Sequence, residues 1–216
     1  MKLEQVPTPA YVIDQAKLEE NCRILQEVQE KAGCKVLLAQ KAYSLYKTYP
    51  LISRYLSGTT ASGLYEAKLG REEFPGEVHV FAPAFKEDDM EELLQISDHI
   101  VFNSERQLRK YGQRCREAGI SVGLRLNPQC STQGDHALYD PCAPGSRFGV
   151  TQDKIPSDLL DLVDGLHFHT LCEQGADDLQ TTLKAVEEQF GQYLHQVKWL
   201  NMGGGHHITR ADYDLD

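Results

Sequence analysis

A lysine at the end of an apolar run is the first residue in this sequence that suggests chemistry. Residues 37–42 read Leu-Leu-Ala-Gln-Lys-Ala, and as a β-strand this run places Lys41 on the same face as Leu37 and Ala39. Lysine is among the residues least often buried, and a desolvated lysine becomes nucleophilic because its pKa falls. Lys41 is therefore a candidate Schiff-base lysine, and the alternative is an edge lysine that simply reaches solvent.

Polar residues end three other apolar runs with the same parity. Arg125 alternates with leucines in Leu124-Arg125-Leu126, His169 follows Phe168, and Ser62 follows Ala61. The carboxyl ends of parallel strands meet at one edge of a sheet, where the active sites of both barrels and open α/β sheets are built. The pattern predicts that Lys41, Ser62, Arg125 and His169 gather at that edge.

Two features indicate an anion at the same edge. An inward Arg125 requires either an anionic ligand or a carboxylate partner in a structural ion pair. Gly203, Gly204 and Gly205 follow Met202, and glycines let main-chain N–H groups approach a phosphate closely. The alternative for the triplet is an ordinary turn.

Two histidine pairs raise the question of a metal. His167-x-His169 places both rings on one strand face, and His206-His207 follows the glycine triplet. No cysteine stands at zinc-finger spacing, and a histidine ring also stacks on a flat cofactor. We therefore predict no metal site, and the sequence assigns no role to His206 and His207.

The elements that must position these residues alternate along the chain. Short apolar or β-branched runs recur, each followed by a helical pattern, which indicates βα units and a parallel sheet. A (β/α)8 barrel has eight such strands, and we count seven. The predicted strands are Val36–Lys41, Gly58–Ser62, Glu77–Pro83, His99–Ser104, Ser121–Asn127, Gly165–Thr170 and Trp199–Gly203.

The predicted helices have clear ends. Asp14 is a candidate N-cap and Gly33 a C-terminal glycine for the first helix. Ser104 and Gln107 fit a capping box, and Gly119 would close the helix that they open. Residues 177–193 carry a helical apolar stripe, and residues 128–164 resemble an active-site loop with a short helix.

Composition limits the class of protein. The chain has 216 residues, 41% of them apolar, which suffices for one core. It has no apolar run of membrane-spanning length, no apolar signal segment and no C-x-x-C pair among its six cysteines, so we expect a cytoplasmic protein with reduced thiols. The net charge of −10 argues against nucleic acid as a partner and suits a cationic substrate.

The ordered motifs resemble the fold-type III pyridoxal-phosphate enzymes, a group with alanine racemase and the ornithine, arginine and diaminopimelate decarboxylases. Within that group the chain is most similar to the carboxynorspermidine (carboxyspermidine) decarboxylases, over essentially its whole length. The stretches that carry the resemblance are Leu38–Ala42, Leu56–Glu66, Leu124–Pro128, Leu138–Val150, Gly165–Gln174 and Asn201–Arg210.

The resemblance implies roles for particular residues. Lys41 would hold pyridoxal 5'-phosphate covalently, His169 would stack on its ring, and the glycine triplet would bind its phosphate. Cys172 stands where related decarboxylases carry a serine near the phosphate. The complete implied cofactor-binding set is Lys41, Ser62, Arg125, His169, Cys172, Gly203, Gly204 and Gly205.

The resemblance also implies an activity and a longer parent protein. The activity is decarboxylation of a small carboxylated polyamine, carboxynorspermidine or carboxyspermidine, by a homodimer in polyamine biosynthesis. We expect residues 1–216 to form a partial barrel domain without the eighth strand, the pyridine-nitrogen partner or the C-terminal β-domain, and to have little or no activity alone.

Two alternatives to this function stay open. One is a non-catalytic pyridoxal-phosphate-binding or regulatory fragment, although a decoy has no need of Lys41. The other is a different fold-type III decarboxylase or racemase. The sequence Thr170-Leu171-Cys172 argues against the diaminopimelate group, which usually has a Gly-Ser pair there.

Overall fold

Seven short parallel strands form one sheet in the computed structural model, which describes residues 3–134 and 137–215. The strands follow one another across the sheet in chain order. They are β1 Leu37–Ala39, β2 Gly58–Ala61, β3 Glu77–Phe81, β4 His99–Phe102, β5 Ser121–Arg125, β6 Gly165–His167 and β7 Trp199–Asn201. Each lies inside its predicted run and ends before the run does, so Lys41, Ser62 and His169 lie beyond their strands at the carboxyl edge, whereas Arg125 is the last residue of β5.

Helices cover the outside of the sheet. They are α1 Gln15–Ala32, α2 Tyr49–Ile52, α3 Leu64–Glu73, α4 Glu87–Ile96, α5 Glu105–Glu117 and α6 Ala176–Leu194. The predicted caps of α1 are confirmed: Asp14 Oδ1 accepts hydrogen bonds from the N–H groups of Ala16 and Lys17, and Gly33 has a φ of 63°.

The predicted capping box of α5 is confirmed in part. Ser104 Oγ accepts a hydrogen bond from the Gln107 N–H at 3.4 Å, as expected. The Gln107 side chain instead accepts from the N–H of Asn103, at 2.8 Å, one residue earlier than a capping box requires. Gly119, with a φ of 77°, closes the helix as predicted.

The connection between β5 and β6 contains a short helix, as predicted, but of the 3-10 kind. We expected an active-site loop with a short helix over residues 128–164, and the described part of that connection contains a six-residue 3-10 helix at Ser157–Leu162 and single 3-10 turns at Ala137–Tyr139 and Gln152–Lys154. It is tied back to the sheet by a parallel bridge between Leu126 and Val150. The loop therefore returns to the carboxyl edge before it runs to β6.

The main core lies between the outer face of the sheet and the helices. The apolar strand residues that point to this outer face are fully buried against α4, α5 and α6. Their burial removes them from water and stabilises the fold. The strand residues are Val78, Val80, Ile100, Phe102, Val122, Leu124 and Leu166, and their helical partners include Met90, Leu93, Leu108, Val186 and Phe190.

Over β5 and β6, the inner face is filled by one large side chain and by small residues beside it. A Cβ on Gly165 would lie 2.0 Å from the Trp199 ring, and one on Gly123 would lie 2.5 Å from it. Trp199 Nε1 donates a hydrogen bond to Ser121 Oγ at 2.9 Å. Glycine on β5 and β6 therefore makes room for the indole that β7 turns inward.

The sheet has the curvature of a barrel without its closure. Within the described residues, β1 and β7 each pair with one neighbour only. The predicted incomplete (β/α)8 barrel is thus confirmed. The predicted domain, residues 1–216, also includes residues 1–2, 135–136 and 216, which lie outside the described residues. No helix in the described part of the chain is both long and apolar enough to cross a membrane.

Candidate functional site

Lys41 does not lie in a strand, which corrects the prediction. β1 ends at Ala39, whose carbonyl oxygen accepts main-chain hydrogen bonds from Ala42 and Tyr43, so residues 40–42 form a turn. Lys41 is exposed in that turn rather than desolvated. The buried Gln40 anchors the turn, since its Nε2 donates to the Glu66 carbonyl oxygen at 2.8 Å and its Oε1 accepts from the Tyr49 hydroxyl at 3.2 Å.

Arg125 is the last residue of β5 and is 3% exposed. Its guanidinium lies between the rings of Phe81 and Phe148, at 4.7 and 4.6 Å from their centroids. It donates a hydrogen bond to the main-chain oxygen of His169 at 3.0 Å. Burial lowers the pKa of Arg125 to about 10. None of the carboxylates in residues 3–134 and 137–215 lies within ion-pair distance of Arg125. The charge is therefore available to an anion.

His169 lies two residues beyond β6, beside Lys41 and Arg125. Burial first, and then the positive charges of Lys41 and Arg125, lower the pKa of His169 to about 4, so the ring is neutral at pH 7. Its Nδ1 lies 3.2 Å from the N–H of Gly204 and accepts a hydrogen bond from it. The proton of the neutral ring therefore belongs on Nε2. Arg125 contacts His169 directly, and Lys41 lies close enough for its charge to act on the His169 ring, although Lys41 and His169 both lie beyond the ends of their strands.

The glycine triplet has a packing role that the sequence did not reveal. Gly203 and Gly205 have φ angles of 74° and 90°, and a Cβ on either would lie within 2.5 Å of a main-chain oxygen of Phe168 or Leu171. Gly204 has no such neighbour within 4 Å. Two of the glycines thus let this turn lie directly against the loop that follows β6, and the middle one faces open space.

Ser62 and Cys172 lie at the same edge but make different contacts. Both are exposed. The Ser62 N–H donates to Glu66 Oε2 at 2.7 Å, and the Cys172 N–H donates to Gln174 Oε1 at 3.3 Å. In the portion of the chain that the structure describes, neither side chain is hydrogen-bonded to Lys41, Arg125 or His169.

Two glutamines support the site, the buried Gln133 and the half-buried Gln174, and sequence reasoning missed them. Gln133 Nε2 donates to the Thr170 carbonyl oxygen at 3.0 Å and to Gln174 Oε1 at 2.6 Å. Gln174 Nε2 in turn donates to the main-chain oxygen of Thr132 at 2.7 Å. These bonds tie the loop after β5 to the loop after β6. The only sequence signal was the position of Gln174 in a motif that carries the resemblance.

The other histidines near this edge are held by protein hydrogen bonds. His167 Nδ1 lies 3.0 Å from Asn201 Oδ1, and burial lowers its pKa to about 3. His206 Nδ1 lies 2.6 Å from the hydroxyl of Tyr213, and burial lowers its pKa as well. Among the described residues, the three side chains that could share one metal ion are elsewhere, on β3 and β4.

The fold defines a class of protein. The order and parallel pairing of the seven strands match an incomplete (β/α)8 barrel of the alanine racemase and ornithine decarboxylase kind. A solved diaminopimelate decarboxylase shares this fold at 18% identity, covering 91% of this chain and 49% of its own, with a TM-score of 0.69. No protein-family model matches the chain.

Closer relatives are similar to the whole chain. It is 43% identical over 216 residues to the carboxynorspermidine/carboxyspermidine decarboxylase of Campylobacter jejuni, and 39% identical over 216 residues to the carboxyaminopropylagmatine decarboxylase of Synechocystis. It covers 56% and 55% of these proteins, so the chain spans about half the length of the curated relatives it matches.

A solved structure supports the same similarity. It is the carboxynorspermidine decarboxylase of C. jejuni complexed with norspermidine, 42% identical to this chain. The two superpose with a TM-score of 0.89, over 97% of this chain and 54% of the solved one.

The residues at the edge fit pyridoxal phosphate. The cofactor combines an aldehyde with an anionic phosphate on a flat aromatic ring. Lys41 presents an exposed amine, Arg125 presents a buried positive charge without a described carboxylate partner, and Gly204 faces open space. His169 adds a neutral aromatic ring between the lysine and the glycine turn.

Proposed function

We propose that residues 1–216 form the pyridoxal-phosphate-binding barrel domain of a carboxy-lyase. The reaction is the decarboxylation of carboxynorspermidine or carboxyspermidine to norspermidine or spermidine, in polyamine biosynthesis, and it belongs to a protein of the relatives' full length. The observation that carries the proposal is the convergence of Lys41 and His169, from the loops after β1 and β6, beside the buried charge of Arg125.

Lys41 is the residue that binds the cofactor covalently in this proposal. Its side chain projects from a turn held by the buried Gln40, so the amine is accessible while its backbone is fixed. When bound, pyridoxal phosphate supplies an electron sink for the electron pair left when carbon dioxide departs. The amine of Lys41 would hold the cofactor through its aldehyde carbon, and as a free amine it would be placed to move a proton.

Arg125 and His169 orient the ring, and the glycine turn receives the phosphate. The neutral His169 ring presents a flat apolar face, and its position is fixed through the Gly204 N–H and through Arg125, which holds its main-chain oxygen. Arg125 contributes positive charge near the ring substituents and the phosphate. Ser62 and Cys172 complete the proposed cofactor-binding set with Gly203, Gly204 and Gly205 from their places at the same edge.

The proposed setting of the protein follows from its charge and its thiols. The net charge of −10 favours a polycationic substrate such as a carboxylated polyamine and disfavours nucleic acid. The six cysteines are free thiols, which supports a reducing, cytoplasmic setting. The functional form that we propose is a homodimer.

A second substrate is favoured by one specific observation. The Synechocystis relative, 39% identical, is a carboxyaminopropylagmatine decarboxylase. That substrate has a guanidine group at its far end, so the reacting end is unchanged and the residues at the edge serve equally well. Release of carbon dioxide from the three carboxylated amines, compared in parallel, separates the two proposals.

The visible absorption spectrum of the purified chain with added pyridoxal phosphate tests the cofactor and its lysine. We expect an absorption band that the Lys41→Ala variant lacks, whereas Lys47→Ala, which removes another exposed lysine close by, retains it. Equal bands in Lys41→Ala and the unchanged chain would refute the assignment of Lys41. Release of carbon dioxide by a full-length form then tests the reaction separately.

A further inference from the structure

A cluster of three metal-ligating side chains lies at the end of the sheet opposite to the proposed active site. Glu77 and His79 are the first and third residues of β3, and His99 is the first residue of β4. His79 and His99 are direct neighbours in the register of the two strands. Residues two apart on a strand point to one face, so register alone brings all three side chains together on the inner face.

The geometry of the cluster is close to that of a three-ligand site. One ligand atom from each residue lies within 4.8 Å of the other two. Glu77 Oε2 and His79 Nε2 are 3.0 Å apart. Two ligands that each lie about 2.0 Å from a tetrahedral zinc ion are about 3.3 Å apart, so this pair needs to separate only slightly to admit an ion.

His99 has binding capacity that the protein does not use. In the described part of the chain its buried Nδ1 has no hydrogen-bond partner, whereas buried polar groups are ordinarily partnered. The His99 ring stacks on that of His79, with centroids 3.9 Å apart, and meets the edge of Trp199. The packing holds the imidazole beside Glu77 and His79 rather than letting it turn to solvent.

The cluster is accessible to an ion, and a lysine forms an ion pair with its carboxylate. The side chains of Glu77 and His79 are 32% and 14% exposed, so an ion can reach them from the amino-terminal end of the sheet. Lys35 Nζ lies 2.5 Å from Glu77 Oε1, and the lysine side chain is itself 62% exposed. A divalent cation would compete with this single charge for the carboxylate, and the released lysine would extend into water.

We propose that Glu77, His79 and His99 bind a divalent transition-metal ion of the zinc class. Two imidazoles and one carboxylate are a ligand set that suits zinc, with water in the remaining position. An ion lies in the plane of each imidazole that binds it, so the two stacked rings tilt apart on binding. The ion joins β3 to β4 at the amino-terminal end of the barrel, the end that serves stability rather than catalysis. Its role is structural and independent of the proposed decarboxylase activity.

Titration calorimetry of the chelator-treated chain with zinc ions tests this site. We expect one ion to bind to each chain, and Glu77→Gln or His99→Gln to weaken binding at least about 100-fold, more than the loss of an outer-shell partner typically does. Lys35→Gln should tighten binding several-fold, because it removes the competing charge. The matched control is His195→Gln, which removes an exposed histidine at the end of α6 and should leave the affinity unchanged.

X-ray absorption at the zinc edge keeps the test decisive if a variant does not fold, because it uses the unchanged chain. Two imidazole ligands with oxygen completing the shell are the expected result. Sulfur ligands would overturn the proposal, because they would assign the ion to the free cysteines. Unchanged affinity in folded Glu77→Gln and His99→Gln, or binding that only His206→Gln abolishes, would overturn it as well.

Discussion

The guanidinium of Arg125 donates a hydrogen bond to the main-chain oxygen of His169 at 3.0 Å and thereby joins the end of β5 to the loop after β6. The His169 ring accepts a hydrogen bond from Gly204 in the turn after β7. One chain of contacts thus fixes three neighbouring loops relative to one another. Because Arg125 is held between two aromatic rings, it positions the site as well as supplying charge.

Arg125→Lys should therefore weaken the site although it keeps the charge. A lysine ammonium lacks the flat face that stacks between Phe81 and Phe148 and does not reproduce the guanidinium geometry toward His169. We expect the free energy of unfolding to fall by about 2 kcal/mol, from the lost charged hydrogen bond and ring contacts. Affinity for pyridoxal phosphate should fall about tenfold, the equivalent of 1.4 kcal/mol in binding free energy. Urea denaturation and absorbance titration measure these two effects.

Arg147→Lys is the matched control for this substitution. Its guanidinium also lies over the Phe148 ring, at 4.5 Å, but the residue is exposed. Substitution there should change the free energy of unfolding by less than about 0.5 kcal/mol, as is usual at the surface. Equal effects of the two substitutions would show that Arg125 acts only as a surface cation.

The sequence predicts the edge of the sheet better than it predicts the environment of each residue there. The strand runs place Lys41, Arg125 and His169 near the carboxyl ends of β1, β5 and β6, but the alternation argument holds only for Arg125, because Lys41 and His169 lie beyond their strands. The exposure of Lys41 was not predictable, since it depends on a turn that begins at Ala39. The aromatic rings on either side of Arg125 come from β3 and from the loop after β5. No local sequence pattern predicts that they pack against Arg125.

Contacts between distant loops account for the rest of what the sequence left out. Gln133 donates to the Thr170 carbonyl oxygen across 37 residues, and Gln174 to Thr132 across 42 residues. Amide side chains of this kind form hydrogen bonds with main-chain groups that would otherwise lack a partner in the folded state. Those groups are identified only once the loops are in place.

Two glycines of the triplet, Gly203 and Gly204, should respond differently to alanine. A methyl group on Gly203 would lie 2.5 Å from the Phe168 carbonyl oxygen, and the φ of 74° is unfavourable for alanine. We expect Gly203→Ala to destabilise the chain by at least about 2 kcal/mol. Gly204→Ala should cost less than about 1 kcal/mol, because a methyl group there meets nothing within 4 Å. Urea denaturation of both variants measures the difference.

Gly204→Ala also tests the phosphate assignment. Because this variant is expected to fold, its affinity for pyridoxal phosphate can be measured directly by absorbance titration. A methyl group at the closest approach of the proposed phosphate should lower that affinity about tenfold, the equivalent of 1.4 kcal/mol. An unchanged affinity in the folded variant would exclude a phosphate at this turn.

Stability should fall with acid because of the buried His167. The residue is 7% exposed, and burial lowers its pKa from 6.5 to about 3, so the unfolded chain takes up a proton at a higher pH than the folded chain does. Its contribution to stability is therefore complete above pH 6.5 and is lost as the pH falls toward 3. Between pH 6.5 and about pH 5 this one histidine should account for about 2 kcal/mol of lost stability.

Urea denaturation at several pH values measures that slope, and two substitutions assign it. His167→Gln keeps an amide that can bond to Asn201 but takes up no proton, so its stability should fall less steeply below pH 6.5. His195→Gln removes an exposed histidine and should have the slope of the unchanged chain. Identical slopes in all three proteins would mean that other groups control the acid response.

The contact between Gly165 and Trp199 gives a prediction with its own optical signal, because Trp199 is the single tryptophan of the chain. A Cβ on Gly165 would lie 2.0 Å from the indole ring, so Gly165→Ala must push the ring away from its place over β5 and β6. Overpacking of this kind costs about 1–3 kcal/mol. The displaced indole should also lose its hydrogen bond to Ser121 Oγ, which is 2.9 Å long, and its fluorescence emission should shift.

Gly191→Ala is the control, because this glycine lies inside α6 and a Cβ there meets nothing within 4 Å. Alanine at this position should stabilise the helix by about 0.5–1 kcal/mol without changing the emission. An unshifted emission maximum together with unchanged stability in Gly165→Ala would show that the indole does not fill the inner face between β5 and β6.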